Sequence, residues 1–293
     1  MLLLPAGPAG CAVAAPAKLN LHLEVTGKRP DGYHGLETLM LAVDLFDTLE
    51  VQDDPAGGLT LGCDTPGVPD GPANLAWRAA DELRTRLAPD RGARLRLTKR
   101  IPHQAGLGGG SSDAAAAILG CARVWGVEPS AEAAAAVGSD VAFFLGGPAA
   151  WCTGRGEVVE PEAIGGELNF VIVKPPGGLA TADVYRRLTV PAEPASGREM
   201  RRAVRAGDPG AVARHLFNRL EGPAFGLRPD LAELAETVRG CGPLGVRLTG
   251  SGSAVFAVCR DSSHALQVAG RVRLVRGECS VYAVRGGGLA TGA

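Results

Sequence analysis

Residues 106–113 read GLGGGSSD and run straight into AAAAIL. Glycine gives up the most backbone freedom on folding, so four glycines set directly before a helix call for a chemical reason. Anion binding supplies one. The backbone amides of Gly108, Gly109, Gly110 and Ser111 are bare or lightly shielded, and phosphate oxygens can approach them closely. The first-turn N–H groups and the helix dipole favour negative charge at the same place. The hydroxyls of Ser111 and Ser112 can donate to phosphate, and Ser112 is the candidate Mg²⁺ ligand. A dinucleotide fingerprint would need glycine where Ser111 stands. A P-loop would need a lysine before the serines. A simple capping loop is the structural alternative, and Asp113 suits it, because acids are favoured in a first helical turn.

Other chemistry-bearing residues lie in short, distinct contexts. Lys18 and Asn20 share the polar side of KLNLHLEV. Asp140 stands in GSDVAFFL, where an aspartate before a helical run also reads as an N-cap. Tyr33 and His34 follow the turn Pro30-Asp31-Gly32, which would hold them outward for ligand contact. Asn74 opens NLAWRAADEL and also reads as an N-cap; Lys99 follows in the next strand. Thr181 and Tyr185 lie on ATADVYRRL, where Tyr185 reads equally as a core aromatic. Gly250, Ser251 and Gly252 form a last glycine turn, for which a plain hairpin is the alternative.

Elements of both kinds must position these residues. Strict alternation of Leu19, Leu21, Leu23 and Val25 with polar residues predicts a half-buried strand. LMLAVDLFDTLEVQDD, ARLRLTKRI, LNFVIVKPP, VRLTGSGSAVFAVC and CSVYAVR supply further strand material, and AAWCTGRGEVVE a hairpin. ANLAWRAADELRTRLA predicts a helix with Leu75, Ala79, Leu83 and Leu87 on its buried stripe. A second helix is predicted from Ser112 to Trp125, closed by Gly126, and shorter ones in PSAEAAAAVG and ALQVAGRVRLV. Without steady strand–helix alternation the pattern is α+β rather than doubly wound. The glycine- and proline-bearing stretch between Glu160 and Leu168 predicts two domains, residues 1–163 and 164–284, with a disordered tail over 285–293.

Composition narrows the partners. A formal net charge of −1 without like-charge blocks leaves no basic footprint for nucleic acid. No apolar run reaches membrane-spanning length, and the N-terminal apolar stretch lacks a basic region and is broken by Pro5 and Pro8, so it does not read as a signal peptide. Seven scattered cysteines, an odd number with no CxxC pair, read as reduced thiols in a cytoplasmic protein. The five histidines fall at no metal-ligand spacing. The oligomeric state is open, a homodimer included.

Three segments together, PAKLNLHLEVTGKRPDGYHGLETLM, IPHQAGLGGGSSDAAAAIL and LTGSGSAVFAV, resemble the three motifs of the GHMP small-molecule kinases. AKLNLHL, RPDGYH and GSDVAFFLGGPA resemble, more narrowly, the branch acting on a cytidine diphosphate conjugate of methylerythritol in the non-mevalonate route to isoprenoid precursors. The resemblance implies a two-domain α+β fold with the active site in the inter-domain cleft, ATP as donor, Mg²⁺ as its companion, and phosphorylation of the 2-hydroxyl of the methylerythritol unit. It implies catalytic roles for Lys18 and Asp140. It places ATP on Asn74, Lys99, Pro102 and the loop Gly106, Leu107, Gly108, Gly109, Gly110, Ser111 and Ser112. It places the acceptor on Asn20, Thr181 and the turn Gly250–Gly252, with Tyr33 and Tyr185 sandwiching the cytosine and His34 bonding its polar edge. Gln104 and Ala105 stand where some relatives carry glycine, and Ala142 where proline is common. A kinase for homoserine or a mevalonate-type acid is the nearest rival, but an acid substrate calls for an arginine clamp at the Asp-Gly-Tyr-His turn. A non-catalytic nucleotide sensor would not need Lys18 and Asp140 together.

Overall fold

Lys18 to Val25 lies inside one of two unusually long strands around which the whole chain is built. The computed structural model describes residues 1–6 and 10–287. A short strand β1 (Leu2–Pro5) pairs with β2 (Gly10–Lys28), and β2 pairs antiparallel with β3 (His34–Asp54) along its length. The connecting turn is the predicted one, with Gly32 at a φ of 83° that only glycine takes without strain. Next come β4 (Leu59–Cys63), α1 (Leu75–Leu87), β5 (Gly92–Thr98), α2 (Gly109–Trp125), α3 (Ala131–Val137) and α4 (Val141–Gly146). A hairpin follows, β6 (Ala149–Thr153) with β7 (Val158–Pro161).

The second half opens with β8 (Leu168–Lys174) and α5 (Thr181–Arg186). It continues through α6 (Arg198–Ala206), α7 (Pro209–His215), β9 (Phe217–Asn218), α8 (Glu221–Leu227) and α9 (Pro229–Gly240). It closes with β10 (Gly245–Leu248), β11 (Val255–Cys259), α10 (Ser262–Val275) and β12 (Ser280–Gly286). The strands run in the order β1-β2-β3-β12-β8-β11-β10, so one sheet carries both halves of this α+β chain. The hinge of that sheet is β12, which pairs fully with β8 and touches β3 at Gly286 and Val43.

Three apolar clusters hold the layers. One packs α1, α2 and α4 on β2, β3 and β5, through residues such as Leu83, Ala116, Phe143 and Leu49. Another packs α9 and α10 on β8, β10 and β11. The third spans both halves, joining Leu19, Leu21 and Leu41 to Phe170, Phe256 and Val204. Burying such side chains yields about 1.5–3 kcal/mol each, so this third cluster couples the two halves strongly.

Four expectations need correction. The KLNLHLEV strand is buried on both faces, because its polar side is covered by the candidate site and by ion pairs. In α1 the buried stripe is Ala76, Ala79, Ala80 and Leu83, while Leu87 is exposed; the stripe is rotated by about one residue. The alanine-rich helix begins at Gly109, not Ser112, so two glycines form its first turn. Of the predicted tail, Arg285 and Gly286 belong to β12, and residues 288–293 lie outside the described ones.

Candidate active site

The glycine loop owes its shape to two left-handed residues. Gly106 has a φ of 75° and Gly108, the N-cap of α2, a φ of 71°. A Cβ on Gly106 would strike the carbonyl of Thr249, and one on Gly108 would come within 2.9 Å of Lys18 Cγ. The loop is latched to the last glycine turn: Thr249 Oγ1 donates to Gly106 O at 3.2 Å, and Ala254 N donates to Ala105 O at 3.2 Å. At the head of α2 the amides of Gly109, Gly110 and Ser111 have no helical carbonyl to bond. All three residues line a cavity of about 640 Å³ between the two halves.

Lys18 and Asp140 meet in that cavity. Lys18 N donates to Leu107 O at 2.9 Å, which ties its strand to the glycine loop. Its ammonium donates to Asn20 Oδ1 and stands 3.8 Å from Asp140 Oδ2. Asn20 is oriented in turn by donating to Thr38 Oγ1 at 2.8 Å. Burial pulls the Lys18 ammonium below the usual lysine range, with Asp140 opposing that pull. Asp140 occupies the N-cap position of α4, yet its side chain makes no capping bond. Its carboxylate is turned into the cavity instead. Asn74, by contrast, caps α1 by accepting from Ala76 N at 2.9 Å while also lining the cavity.

Behind the loop lies a buried triad. The Lys99 ammonium bonds both Asp47 and Asp113, and Asp47 also accepts from Ile101 N at 2.8 Å. Burial and the neighbouring Asp47 carboxylate raise Asp113 to about 7, against the pull of Lys99. Lys99, the ATP-contact candidate, lines the cavity with its charge held by two carboxylates.

Other predicted residues divide by position. Pro102, Gly106, Leu107, Asn20, Thr181, Tyr185 and Gly250–Gly252 line the cavity. Ser112 does not: it is fully buried, with Oγ lacking any partner, because the helix begins three residues early and turns this side chain inward. Tyr33 is 56% exposed and, like His34, sits outside the lining. The ring against Tyr185 is that of His34, at 5.1 Å, while the group over Tyr33 is the Arg155 guanidinium. Tyr185 also packs on the second-half core, as its reading as a core aromatic expects. Thr181 Oγ1 lies 2.8 Å from Ser251 Oγ.

Sequence reasoning missed Thr38, His103 and Arg155 as cavity residues. It also missed Asn218, which donates to the carbonyls of Leu248 and Gly250, both at 2.8 Å, and pins the last glycine turn. Thr38 reaches Asn20 past a register shift in the hairpin, in which Asn20 pairs with Met40 and Thr38 with Leu23; the others depend on contacts far apart in sequence. Among the described residues no three His, Cys, Asp or Glu side chains gather as a metal cage, and no helix is long and apolar enough to cross a membrane.

With a glycine-rich helix N-terminus beside a lysine–aspartate pair in one cavity, the chain belongs to the GHMP kinases. The models of the GHMP kinases N terminal domain and C terminal domain match residues 74–148 and 200–275. More specifically, the chain belongs to the 4-diphosphocytidyl-2-C-methyl-D-erythritol kinase family. It is 43% identical to the enzyme of that name from Pelotomaculum thermopropionicum, over 88% of this chain and 92% of that one. It is 39% identical to that from Shouchella clausii, over 94% and 93%. A crystal structure of 4-(cytidine 5'-diphospho)-2C-methyl-D-erythritol kinase superposes with a TM-score of 0.80 at 36% identity, covering 94% of this chain and all of the other. Homoserine kinase from Cytophaga hutchinsonii shares the fold, with a TM-score of 0.75 at 16% identity over 98% of this chain and 97% of that one.

Proposed function

We propose that this chain transfers the γ-phosphoryl group of ATP to the 2-hydroxyl of 4-diphosphocytidyl-2-C-methyl-D-erythritol, in the non-mevalonate route to isoprenoid precursors. The observation that carries this reading is the Lys18–Asp140 pair, 3.8 Å apart, in one cavity with the bare amides of the glycine loop. Phosphoryl transfer needs mainly positioning and charge neutralisation, and those two features divide the work. The amides of Gly109, Gly110 and Ser111 receive phosphate oxygens. Asp140 accepts the acceptor's hydroxyl proton as its oxygen bonds to the γ-phosphorus and the bond to the departing ADP breaks. Lys18 orients the carboxylate and steadies the forming alkoxide. Asn20 fixes the Lys18 ammonium. Thr181, Tyr185 and Gly250–Gly252 hold the acceptor, with Tyr33 and His34 closing over its cytosine from the rim. Asn74 and Pro102 bound the nucleotide.

Mg²⁺, when bound with ATP, neutralises charge on the transferred phosphoryl group. Among the described residues no three His, Cys, Asp or Glu side chains gather as a cage, which would suit an ion that keeps several of its waters. Ser111, which lines the cavity, is the hydroxyl placed to join it, and the buried Ser112 Oγ is not. We divide the chain functionally near residue 163, between β7 and β8, with the nucleotide loop before and the last glycine turn after. Cytoplasmic residence fits the seven cysteines, all of which are free.

The deciding experiment is a coupled ADP-release assay with four acceptors: the cytidyl conjugate, homoserine, mevalonate and galactose. Turnover with the first alone is expected. Turnover with homoserine or mevalonate in its place would assign the chain to another acceptor, and ATP binding without any turnover would make it a sensor.

A further inference from the structure

Among the described residues lining the cavity, Lys18, Lys99 and Arg155 are the lysines and arginines. Lys18 is bonded to Asn20 and faces Asp140, and Lys99 is held by two carboxylates. Arg155 differs from both. Its carboxylate neighbour, Glu157, stands at 3.8 Å from Nε, and that carboxylate is engaged by the Arg155 backbone N–H. Unlike the Lys18 and Lys99 ammoniums, which donate to Asn20 and to Asp47 and Asp113, its guanidinium makes only this long ion pair among the described residues, so its Nη groups are left to meet a ligand.

Its place in the cleft says what it would bind. The proposed acceptor runs from cytosine through ribose and diphosphate to methylerythritol, so its diphosphate must lie between the base and the reacting hydroxyl. Arg155 spans that interval. Its guanidinium lies 4.8 Å above the ring of Tyr33, at the base end. The next residue, Gly156, abuts the reacting end, where a Cβ would lie 3.6 Å from Asp140 Oδ1. The turn is well fixed. Gly154 and Gly156 have φ of 72° and 113°, Leu36 N donates to Gly154 O at 2.7 Å, and Gly156 N donates to Thr153 O at 3.0 Å. Thr181, across the cavity, offers a diphosphate only a neutral hydroxyl, whereas a guanidinium fork matches phosphate oxygens in charge and geometry.

We propose that Arg155 binds the diphosphate of the nucleotidyl acceptor and holds it between the base site and the Lys18–Asp140 pair; this rests on the acceptor assigned above. The test is calorimetric titration of cytidine and of cytidine 5'-diphosphate into the wild type, R155A and R155Q. The wild type binds the diphosphate more tightly than the nucleoside. Either substitution weakens diphosphate binding by about tenfold or more and leaves cytidine within about twofold. The KM for the full acceptor rises with it, and the KM for ATP does not. An equal loss for both ligands would make Arg155 a prop for Tyr33 and overturn the proposal, as would unchanged diphosphate affinity. A wild type that binds neither ligand overturns the acceptor assignment itself, and the role of Arg155 with it.

Discussion

The Lys18 ammonium and the Asp140 carboxylate face each other at 3.8 Å, the lysine almost wholly buried and the aspartate partly open to the cavity. The asymmetry suits their proposed tasks. A buried cation stays put, and a partly solvated carboxylate is free to take a proton. Asp140→Asn removes the base without removing a helix cap, since no capping bond exists to lose. We expect kcat to fall by about 10²–10⁴-fold. ATP affinity and melting temperature should be nearly unchanged. Turnover close to wild type in single-turnover measurements would remove Asp140 from the role of base.

Gly108→Ala tests why the loop is built of glycine. A left-handed alanine costs about 1–2 kcal/mol. Its Cβ would also press on Lys18 Cγ and on Phe144. The protein should still fold, with ATP affinity and turnover both reduced by about tenfold or more. Retained ATP affinity would mean that the loop does not cradle the nucleotide.

Lys99→Met probes the triad. It leaves the Asp47 and Asp113 carboxylates buried together with no cation between them. Breaking a buried ion pair from one side costs about 3–5 kcal/mol. Denaturant unfolding should show a loss of that size, partly restored by adding Asp113→Asn. A loss below about 1 kcal/mol, the range of an exposed pair, would show that the triad does not anchor the loop.

His22 makes stability depend on acidity. It is 2% exposed, packed between Trp151 and Phe217, with Nε2 lacking a partner. Burial lowers its pKa from 6.5 to about 4, against the opposing pull of Glu24. Between those values the unfolded chain binds the proton and the folded one does not, so stability rises with pH across the window and is lost on acidification. The full amplitude is at most about 3.5 kcal/mol. His22→Phe should flatten this limb of the stability curve, leaving whatever the buried Glu24–Arg219 pair contributes. An unchanged slope between pH 4 and 6.5 would assign the acid sensitivity elsewhere.

Much of this architecture was legible from period and punctuation. The alternation of Lys18–Val25, the Pro30-Asp31-Gly32 turn, and Asn74 before α1 each depend on neighbours a few residues away. What escaped depends on distant ones. That both faces of β2 are buried follows from Arg219 reaching Glu24 and from Thr249 reaching Asn20 N. The inward turn of Ser112 follows from where α2 starts. Arg155 sits in a hairpin whose orientation is set by the pairing of β6 with β3. The four helices between residues 198 and 240 carried readable local signals, such as Met200, Ala203 and Val204 on one stripe and Asp208 capping before Pro209, but no site motif drew attention to them.

The latch between Gly106 and Thr249 joins positions 143 residues apart. During synthesis the phosphate loop therefore emerges long before the turn that clamps it. A nascent chain stopped short of the second half has the glycines without the wall they lean on, and should not retain nucleotide. With the loop cradling the nucleotide as proposed, competence to bind ATP is expected only when the last quarter of the polypeptide has been made and has folded back against the first.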